Sequence, residues 1–308
     1  MIVVFGSINT DLVARVDHLP RAGETQSASA YAMYAGGKGA NQALAARRAG
    51  GDVAMYGATG RDGYATLALA ELDASGIALG TVTRTAETTG IALIHVDNAG
   101  QNTITIVAGA NALARADSVP DAALAPVTTL LLQLEVPMPE IVALAARARA
   151  RGVRAILNAA PARALPAELL ATIDVLIVNE HEALVIAAAE GLPAAPSIFA
   201  RTASARFGMT VVVTLGASGA IAVAGHTLHA VPSPAVTVID TTAAGDAFAG
   251  AFAAALDAGA PLPRALARGV AAGALACTRE GAQPSLPGDN LIAPLAQQVE
   301  STILTLPK

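Results

Sequence analysis

Short apolar strands alternate with helical segments along most of this chain, and that alternation constrains its fold more than any other feature. Apolar and β-branched runs are predicted as strands at residues 2–5, 53–56, 129–133, 155–158, 175–178, 210–214 and 236–239. Helical patterns occupy residues 39–49, 64–74, 139–151, 182–189, 196–207, 246–257 and 263–278, and the last two are expected to close the chain. The alternation predicts an α/β fold whose doubly wound, mainly parallel sheet is flanked by helices. Ligands of such folds bind at the carboxyl ends of the strands.

Two stretches interrupt this alternation and are predicted to form a small β-sheet. Residues 12–34 show no helical stripe and turn near Pro20 and Gly23, and residues 90–107 hold two β-rich runs. The runs are joined by Asp97-Asn98-Ala99-Gly100, a sequence typical of a hairpin. We expect this small sheet to be a lid over the carboxyl ends of the strands, where it would exclude water from a bound substrate. The chain, residues 1–308, would then be a single α/β domain with lid segments at about 12–34 and 90–107.

Composition excludes several classes of function. The 308 residues are 54% hydrophobic, and the formal net charge is −5 without a basic cluster, which argues against a nucleic-acid partner. No uncharged apolar run reaches membrane-spanning length, so no membrane partner is expected. The single cysteine, Cys277, has no disulfide partner within the chain and is predicted to be a small buried side chain. We expect a cytoplasmic protein.

The segment Asp240-Thr241-Thr242-Ala243-Ala244-Gly245-Asp246 carries the strongest chemical signal. It is predicted to join a strand, through a turn of small residues, to the first turn of a helix. Free N–H groups at such a helix end bind anions. Asp246 would repel an anion there, unless it removes a proton from a hydroxyl that attacks a phosphate. Alone, the segment fits either a phosphoryl-transfer centre or an aspartate that simply suits the helix dipole.

A glycine-rich loop, Gly36-Gly37-Lys38-Gly39-Ala40-Asn41, precedes another predicted helix. Its glycines let the backbone approach a ligand, and Lys38 and Asn41 offer donors to hydroxyls or phosphate. Gly39 stands where a P-loop needs Ser or Thr, and the residues after the first strand lack the spacing of a dinucleotide fingerprint. Alone, a glycine-rich loop before a helix is weak evidence of a site and is usually an ordinary turn.

Further segments are suggestive but individually ambiguous. Asn179-Glu180-His181-Glu182 follows a strand and could hold magnesium through water, or could be a helix N-terminus that is rich in acids. Thr214-Leu215-Gly216-Ala217-Ser218-Gly219 leaves a strand through a glycine turn that suits a nucleotide. Carbonyl groups in the loop 278–285 could surround a monovalent cation, although most loops after helices bind nothing.

In their order and spacing, these motifs resemble those of the ribokinase (PfkB-type) family of sugar and nucleoside kinases. The resemblance runs from Val4-Phe5-Gly6-Ser7-Ile8-Asn9-Thr10-Asp11 to Gly281-Ala282-Gln283-Pro284-Ser285, so it covers nearly the whole chain. The loop 36–41 and the segment 240–246 are similar to signatures of that family. Intermediate matches are Thr88-Thr89-Gly90, Ala108-Gly109-Ala110-Asn111, Gln133-Leu134-Glu135, Ala160-Pro161-Ala162-Arg163 and residues 179–182.

The resemblance implies a ribokinase-like fold, the use of ATP, Mg²⁺ and K⁺, and roles for individual residues. Asp246 is implied to be the base, and the N–H groups of Ala243, Ala244 and Gly245 an anion hole. The implied sugar-binding residues are Asn9, Thr10, Asp11, Gly37, Lys38, Gly39, Asn41, Glu135 and Asp246. The implied ATP-binding residues are Asn179, Thr214, Leu215, Gly216, Ala217, Ser218, Gly219 and Gly245. Glu182 is implied to organise magnesium, and the implied potassium ligands are Asp240, Thr242, Ala276, Arg279, Gly281 and Ser285.

The chain departs from the family pattern at a few positions. Ala159 and Val178 stand where prolines are common, which affects backbone stiffness rather than chemistry. Val270 stands where some relatives have a polar residue near the adenine, so that contact stays open.

The expected function is ATP-dependent phosphorylation of the 5-hydroxyl of D-ribose to D-ribose 5-phosphate. Within the same class, 2-deoxyribose, another sugar or a nucleoside are alternative substrates. A non-catalytic sugar-binding regulator is the alternative from another class, and a dinucleotide oxidoreductase fits the sheet but lacks its fingerprint. Because relatives often pair through their lids, a homodimer is expected.

Overall fold

The computed structural model describes residues 1–125, 127–299 and 302–305. Its strands are β1 (Ile2–Phe5), β2 (Asn9–Arg15), β3 (Ala30–Gly36), β4 (Val53–Thr59), β5 (Val82–Arg84), β6 (Gly90–Val96), β7 (Asn102–Val107), β8 (Thr129–Leu132), β9 (Arg154–Asn158), β10 (Val175–Asn179), β11 (Thr210–Thr214), β12 (Ala220–Ala224), β13 (Thr227–Val231) and β14 (Thr302–Thr305). Its α-helices are α1 (Lys38–Arg48), α2 (Gly63–Ala74), α3 (Asp121–Leu124), α4 (Met138–Arg149), α5 (Ala167–Leu170), α6 (Glu180–Glu190), α7 (Pro196–Phe207), α8 (Ala244–Asp257), α9 (Leu262–Ala276) and α10 (Asp289–Gln298).

One large sheet organises the molecule. Within the described residues it has ten strands, in the order β14-β13-β12-β11-β10-β9-β8-β1-β4-β5. Neighbouring strands from β11 to β5 run parallel, and β12, β13 and β14 continue the sheet antiparallel at one edge. The predicted α/β fold with a mainly parallel sheet between helices is therefore confirmed.

The central strand β1 contributes to two separate cores, because successive side chains of a strand point to opposite faces. Ile2 and Val4 join the core that contains α1, α8 and α9, whereas Val3 joins the core that contains α4, α6 and α7. Small residues let the helices of the first core pack closely. A Cβ atom at Gly250 of α8 would lie 2.5 Å from the Cβ atom of Ala45 in α1.

A second sheet, which we call the lid sheet, has the order β3-β2-β6-β7. Strand β2 pairs antiparallel with β3 and parallel with β6, and β6 pairs antiparallel with β7. Since β2 begins shortly after the carboxyl end of β1, the lid sheet stands at the edge of the large sheet where ligands are expected. The register places Asp11 and Val13 on the same face as Ile94 and Ile104.

The prediction that residues 236–239 form a strand is wrong. These residues pair with no strand of either sheet. The Ile239 N–H donates instead to the carbonyl oxygen of Cys277 at 2.8 Å. Val238 and Ile239 are each 59% exposed. The β-branched residues here therefore indicate strand propensity without a neighbouring strand to pair with.

The prediction that the helix at 263–278 closes the chain is wrong as well, because α10 and β14 follow it. Pro294 lies inside α10 and lowers the helix propensity of that segment. Burial of Ile292 and Ala296 in the core that contains α9 outweighs this penalty. In the described part of the chain, no helix is long and apolar enough to cross a membrane.

Candidate active site

Asp246 lies in the first turn of α8, at the carboxyl edge of the large sheet. The residue is only 7% exposed. Oδ2 accepts a hydrogen bond from Asn41 Nδ2 at 3.0 Å, and Oδ1 accepts one from Gln42 Nε2 at 2.8 Å. Burial raises the pKa of Asp246, while Lys38 and the two amide donors oppose that rise. The result is a buried carboxylate that is held by side-chain amides and can exchange a proton.

The residues before Asp246 form a turn whose backbone amides could bind an anion. Ala243 has φ 58° and ψ 10°, and among the described residues it is the one non-glycine residue with positive φ. That conformation costs about 1–2 kcal/mol for a residue with a Cβ atom. The Ala244 N–H makes a long bond of 3.3 Å to Thr241 O, and the Gly245 N–H has no acceptor among the described residues. These amides are therefore available to an anion at the positive end of α8.

Carboxylates and one lysine line the side of the site toward the lid sheet. Asp11 on β2 is partly buried, and burial together with Glu135 and Asp246 raises its pKa to about 7, against the effect of Lys38. Burial disfavours the ammonium of Lys38, but Asp246, Glu135 and other carboxylates raise its pKa on balance. Glu135 Oε2 accepts from Ser7 Oγ at 2.6 Å and from the Lys38 N–H at 3.1 Å. The structure thus brings Asp11, Lys38, Glu135 and Asp246 together.

Backbone geometry explains the glycine-rich loop. Gly37 has φ +88°, and a Cβ atom there would lie 2.7 Å from the Asn9 amide nitrogen. Only glycine therefore lets the start of α1 pack against β2. Asn9 is oriented from the other side, because Asn111 Nδ2 donates to its Oδ1 at 2.7 Å.

Thr10 does not join the other residues with implied sugar contacts. Its Oγ1 donates to the carbonyl oxygen of Tyr64 at 3.0 Å, and the side chain is fully buried. Since Thr10 alternates with Asn9 and Asp11 on β2, its side chain points to the opposite face of the lid sheet. The hydroxyl therefore anchors the lid sheet to α2.

Two adjoining cavities open at this edge. The smaller, of about 210 Å³, reaches from Lys38 to Asp246, and Glu182 and Asn158 also line it. The larger, of about 860 Å³, shares Thr214 and Gly245 with the smaller one. The smaller cavity is lined mainly by polar groups and the larger one continues it, so together they can hold a polar substrate end to end with an elongated ligand.

Most residues with implied ATP contacts line the larger cavity: Asn179, Thr214, Gly216, Ala217, Gly219 and Gly245. Leu215 packs against the core instead, and Ser218 is exposed outside the cavity lining. Val270 contributes an apolar wall. The prediction that Cys277 is a small buried side chain is wrong, because it is partly exposed and lines the same cavity.

Glu182 and Asn179 form a capping box at the start of α6. The Glu182 N–H donates to Asn179 Oδ1 and the Asn179 N–H donates to Glu182 Oε2, both at 2.8 Å. Burial raises the pKa of Glu182. Within the described chain, no cluster of three His, Cys, Asp or Glu residues could hold a metal ion by itself. A magnesium ion at Glu182 would therefore need ligands from phosphates and water, which suits its preference for both.

Two loops with implied potassium ligands meet beside the turn before Asp246. Asp240 Oδ1 accepts from the N–H and the hydroxyl of Thr242, at 2.9 and 2.7 Å, and Oδ2 accepts from the Gly281 N–H at 2.9 Å. Burial opposes ionisation of Asp240, but these hydrogen bonds hold its pKa below the usual value. Ala276 ends α9, and its carbonyl oxygen accepts from the Arg279 N–H at 3.4 Å, while Ser285 Oγ donates to Ala282 O at 2.8 Å. Asp240 thus joins the loop before α8 to the loop after α9, and an ionised carboxylate between these loops suits a monovalent cation.

Sequence patterns alone missed several buried polar residues of the site. Gln42 hydrogen-bonds to both Gln133 and Asn158, and it also donates to Asp246. The available signal was a polar side chain at the carboxyl end of an apolar strand, at Gln133 and at Asn158. Gln42 had no signal beyond its place after Asn41.

Comparisons with known proteins agree with this site. The family model described as pfkB family carbohydrate kinase matches residues 1–289. The ribokinase of Haemophilus influenzae is 36% identical over 292 residues, 93% of this chain and 95% of that protein. The crystal structure of ribokinase from Thermotoga maritima has a TM-score of 0.88 at 34% identity, covering 96% of this chain and 99% of that one. The Arabidopsis thaliana ribokinase complexed with ribose and ATP has a TM-score of 0.87 at 32% identity, covering 96% and 98%. This chain belongs to the pfkB family of carbohydrate kinases.

Proposed function

We propose that this chain transfers the γ-phosphoryl group of ATP to the 5-hydroxyl of D-ribose and releases ADP and D-ribose 5-phosphate. One observation carries the proposal. The buried carboxylate of Asp246 lies between the carboxylates that face the lid sheet, Asp11 and Glu135, and the N–H groups of the first turn of α8. The similarity to ribokinases, one of them complexed with ribose and ATP, supports the choice of substrates.

The chemistry is an in-line displacement. Asp246 takes the proton of the 5-hydroxyl as that oxygen attacks the γ-phosphorus. A new O–P bond forms while the bond to the bridging oxygen breaks, and its electron pair leaves with ADP. The N–H groups of Ala243, Ala244 and Gly245 stabilise the charge on the transferred group. A base in this position contributes about 100- to 10,000-fold to the rate.

The sugar would be bound by directional hydrogen bonds from Asn9, Asp11, Lys38, Asn41 and Glu135. Asn41 Oδ1 is buried without a hydrogen-bond partner among the described residues, so it can accept from a sugar hydroxyl. Gly37 and Gly39 let the loop pack against the residues that follow β1, because a Cβ atom at either position would lie within 2.7 Å of that backbone. An analogue that lacks one hydroxyl would leave a buried polar group unpaired, which is how such a site selects its substrate.

We propose that ATP occupies the larger cavity, with its base against Val270 and its phosphates toward Gly245. Glu182 would hold magnesium through water beside the phosphates, and magnesium neutralises phosphate charge during transfer. Asp240 and Thr242, with backbone groups at Ala276, Arg279, Gly281 and Ser285, would hold potassium. The hydrogen bonds that join Asp240 to Thr242 and Gly281 support this role, because they tie both loops to the turn before α8.

We also propose a homodimer that pairs through the lid sheet. Ile104 and Ile106 are 54% and 48% exposed on the face that carries Asp11, and such a patch suits a second copy of the chain. Ile104→Asp should convert the dimer to a monomer in light scattering at micromolar concentration. Ile198→Asp, which changes an isoleucine of 44% exposure on α7, should leave the mass unchanged. A monomeric wild-type protein would contradict the proposal.

We further propose that the whole chain, residues 1–308, works as one kinase domain whose lid sheet closes over the sugar. Because ATP is made and used in the cytoplasm, we propose that compartment for the reaction.

The test of the proposed function is sugar-dependent ADP release. D-ribose, 2-deoxyribose, fructose and adenosine are each offered with ATP and magnesium, with and without potassium. We expect the largest kcat/KM with D-ribose and a rate that rises with potassium. Turnover on another compound would keep the mechanism and change the substrate. No turnover on any of them would favour a binding protein.

A further inference from the structure

Three buried amide side chains, Gln133, Gln42 and Asn158, form what we call the amide relay behind Asp246. Gln42 on α1 and Gln133 after β8 are both fully buried. Gln42 Nε2 donates to Asp246 Oδ1 at 2.8 Å and to Asn158 Oδ1 at 2.9 Å. Gln42 Oε1 accepts from Gln133 Nε2 at 2.8 Å. One glutamine therefore joins Asp246 to strands β8 and β9.

The partners determine which end of the Gln42 amide faces Asp246. If the amide were turned over, Gln42 Oε1 would lie against the Asp246 carboxylate and the Asn158 oxygen, and two NH₂ groups would face each other at Gln133. Asn158 is itself oriented, because its Nδ2 donates to Ile177 O at 3.3 Å. Gln42 thus presents a donor to Asp246, because only this orientation keeps its own oxygen away from two acceptor oxygens.

Each oxygen of Asp246 has one amide donor, but the two donors differ. Asn41 lies at the proposed sugar site and has an unpartnered Oδ1 among the described residues, so a bound sugar can reorganise its contacts. Gln42 is fully buried, and both its N–H bonds and its carbonyl oxygen are already used. Gln42 is therefore the donor that can hold the carboxylate throughout the reaction.

We propose that Gln42 is a positioning residue that holds the Asp246 carboxylate in its proton-accepting orientation. The inference rests on the proposed role of Asp246 as base. A hydrogen bond to a carboxylate also favours its charged form, so removal of Gln42 makes Asp246 easier to protonate. The other charged groups that act on Asp246 are Lys38, Glu135, Asp11 and Glu182.

The test compares Gln42→Met with Gln133→Met. Both changes remove a fully buried amide and keep an unbranched side chain, but only Gln42 contacts Asp246. For Gln42→Met we expect kcat with D-ribose to fall about 10- to 100-fold, with a change of less than about threefold in KM. The acid limb of the pH profile of kcat should move to higher pH. In Gln133→Met that limb should stay at the wild-type pH, whereas the thermal midpoint should fall in both variants.

Gln42→Glu is the second variant, because it keeps the shape and places a carboxyl group against Asp246. It should move the acid limb in the same direction, and it decides the question if Gln42→Met does not fold. An unmoved limb with wild-type kcat, or equal shifts in the Gln42 and Gln133 variants, would overturn the positioning role. Asp246→Asn separates the two proposals. If it keeps wild-type kcat, the proposed base is wrong; if it is inactive while the Gln42 variants behave as wild type, only the positioning role fails.

Discussion

Without bound substrate, the ionised carboxylate of Asp11 is expected to lower the free energy of unfolding. The substitution Asp11→Asn should therefore raise it. Burial and the carboxylates of Glu135 and Asp246 raise the pKa of Asp11 to about 7 from 3.8, despite Lys38. Between these two pH values the folded protein binds a proton that the unfolded chain has lost. The free energy of unfolding therefore falls as the pH rises from about 4 to about 7, and the full loss is present above pH 7.

The size of the effect follows from the pKa difference. A difference of about three pKa units, at 1.36 kcal/mol per unit, means that Asp11 lowers the free energy of unfolding by about 4 kcal/mol at pH 8. At pH 5 the same linkage lowers it by about 2 kcal/mol. Asparagine cannot ionise, so the stability advantage of Asp11→Asn should widen by about 2 kcal/mol between pH 5 and pH 8. The same change removes a charged acceptor from the proposed sugar site, so KM for D-ribose should rise about tenfold or more.

Urea unfolding of both proteins at several pH values between 5 and 8 measures this difference. Asp73→Asn is the matched control, because Asp73 is an exposed carboxylate on α2, and it should change stability by less than about 0.5 kcal/mol at every pH. The reasoning would be refuted if Asp11→Asn were less stable than the wild type at pH 8. It would also be refuted if the stability advantage of the variant did not grow with pH.

Further predictions concern the nucleotide side of the site. Nothing lies within 4 Å of a Cβ atom built at Gly245, so Gly245→Ala should fold and gain up to about 1 kcal/mol in unfolding free energy. Its methyl group would enter the phosphate end of the cavities, so kcat/KM for ATP in steady-state kinetics should fall about tenfold or more. An unchanged kcat/KM would contradict the proposed anion hole. Cys277 is the only cysteine and lines the larger cavity, so ATP at about ten times its Kd should slow alkylation by a maleimide about tenfold, as followed by mass spectrometry. Burial and Asp240 raise the pKa of the Cys277 thiol, so the alkylation rate should still increase between pH 8 and pH 9, and equal rates with and without ATP would place the nucleotide elsewhere.

Elements with local signals could be predicted from the sequence. The helix predicted at 196–207 is α7, Pro196–Phe207, because a proline opens it and Gly208 ends it in the left-handed conformation. Residues 236–239 and α10 show where local signals fail. The first has strand propensity but pairs with neither sheet, and the second contains Pro294 but buries an apolar side against α9. In both cases tertiary packing outweighs local propensity.

In the candidate site, too, features that are contiguous in the sequence could be predicted and contacts between distant residues could not. The glycine-rich loop and the turn before Asp246 are each contiguous in the sequence, so their roles could be inferred from residue types. The amide relay could not, because Gln42 meets Gln133 across 91 residues and Asn158 across 116. The side chain of Thr10 could not be placed either, because only the strand register shows that its hydroxyl points to Tyr64.

The central claim is that Asp246 is the base of a sugar kinase, and Asp246→Asn tests it most directly. Turnover with D-ribose and ATP should fall at least about 100-fold, since a general base contributes about that much or more. Calorimetry should still show D-ribose binding, because asparagine keeps the shape and the other proposed sugar contacts are intact. Turnover within a few fold of the wild type, with ribose bound normally, would contradict the account.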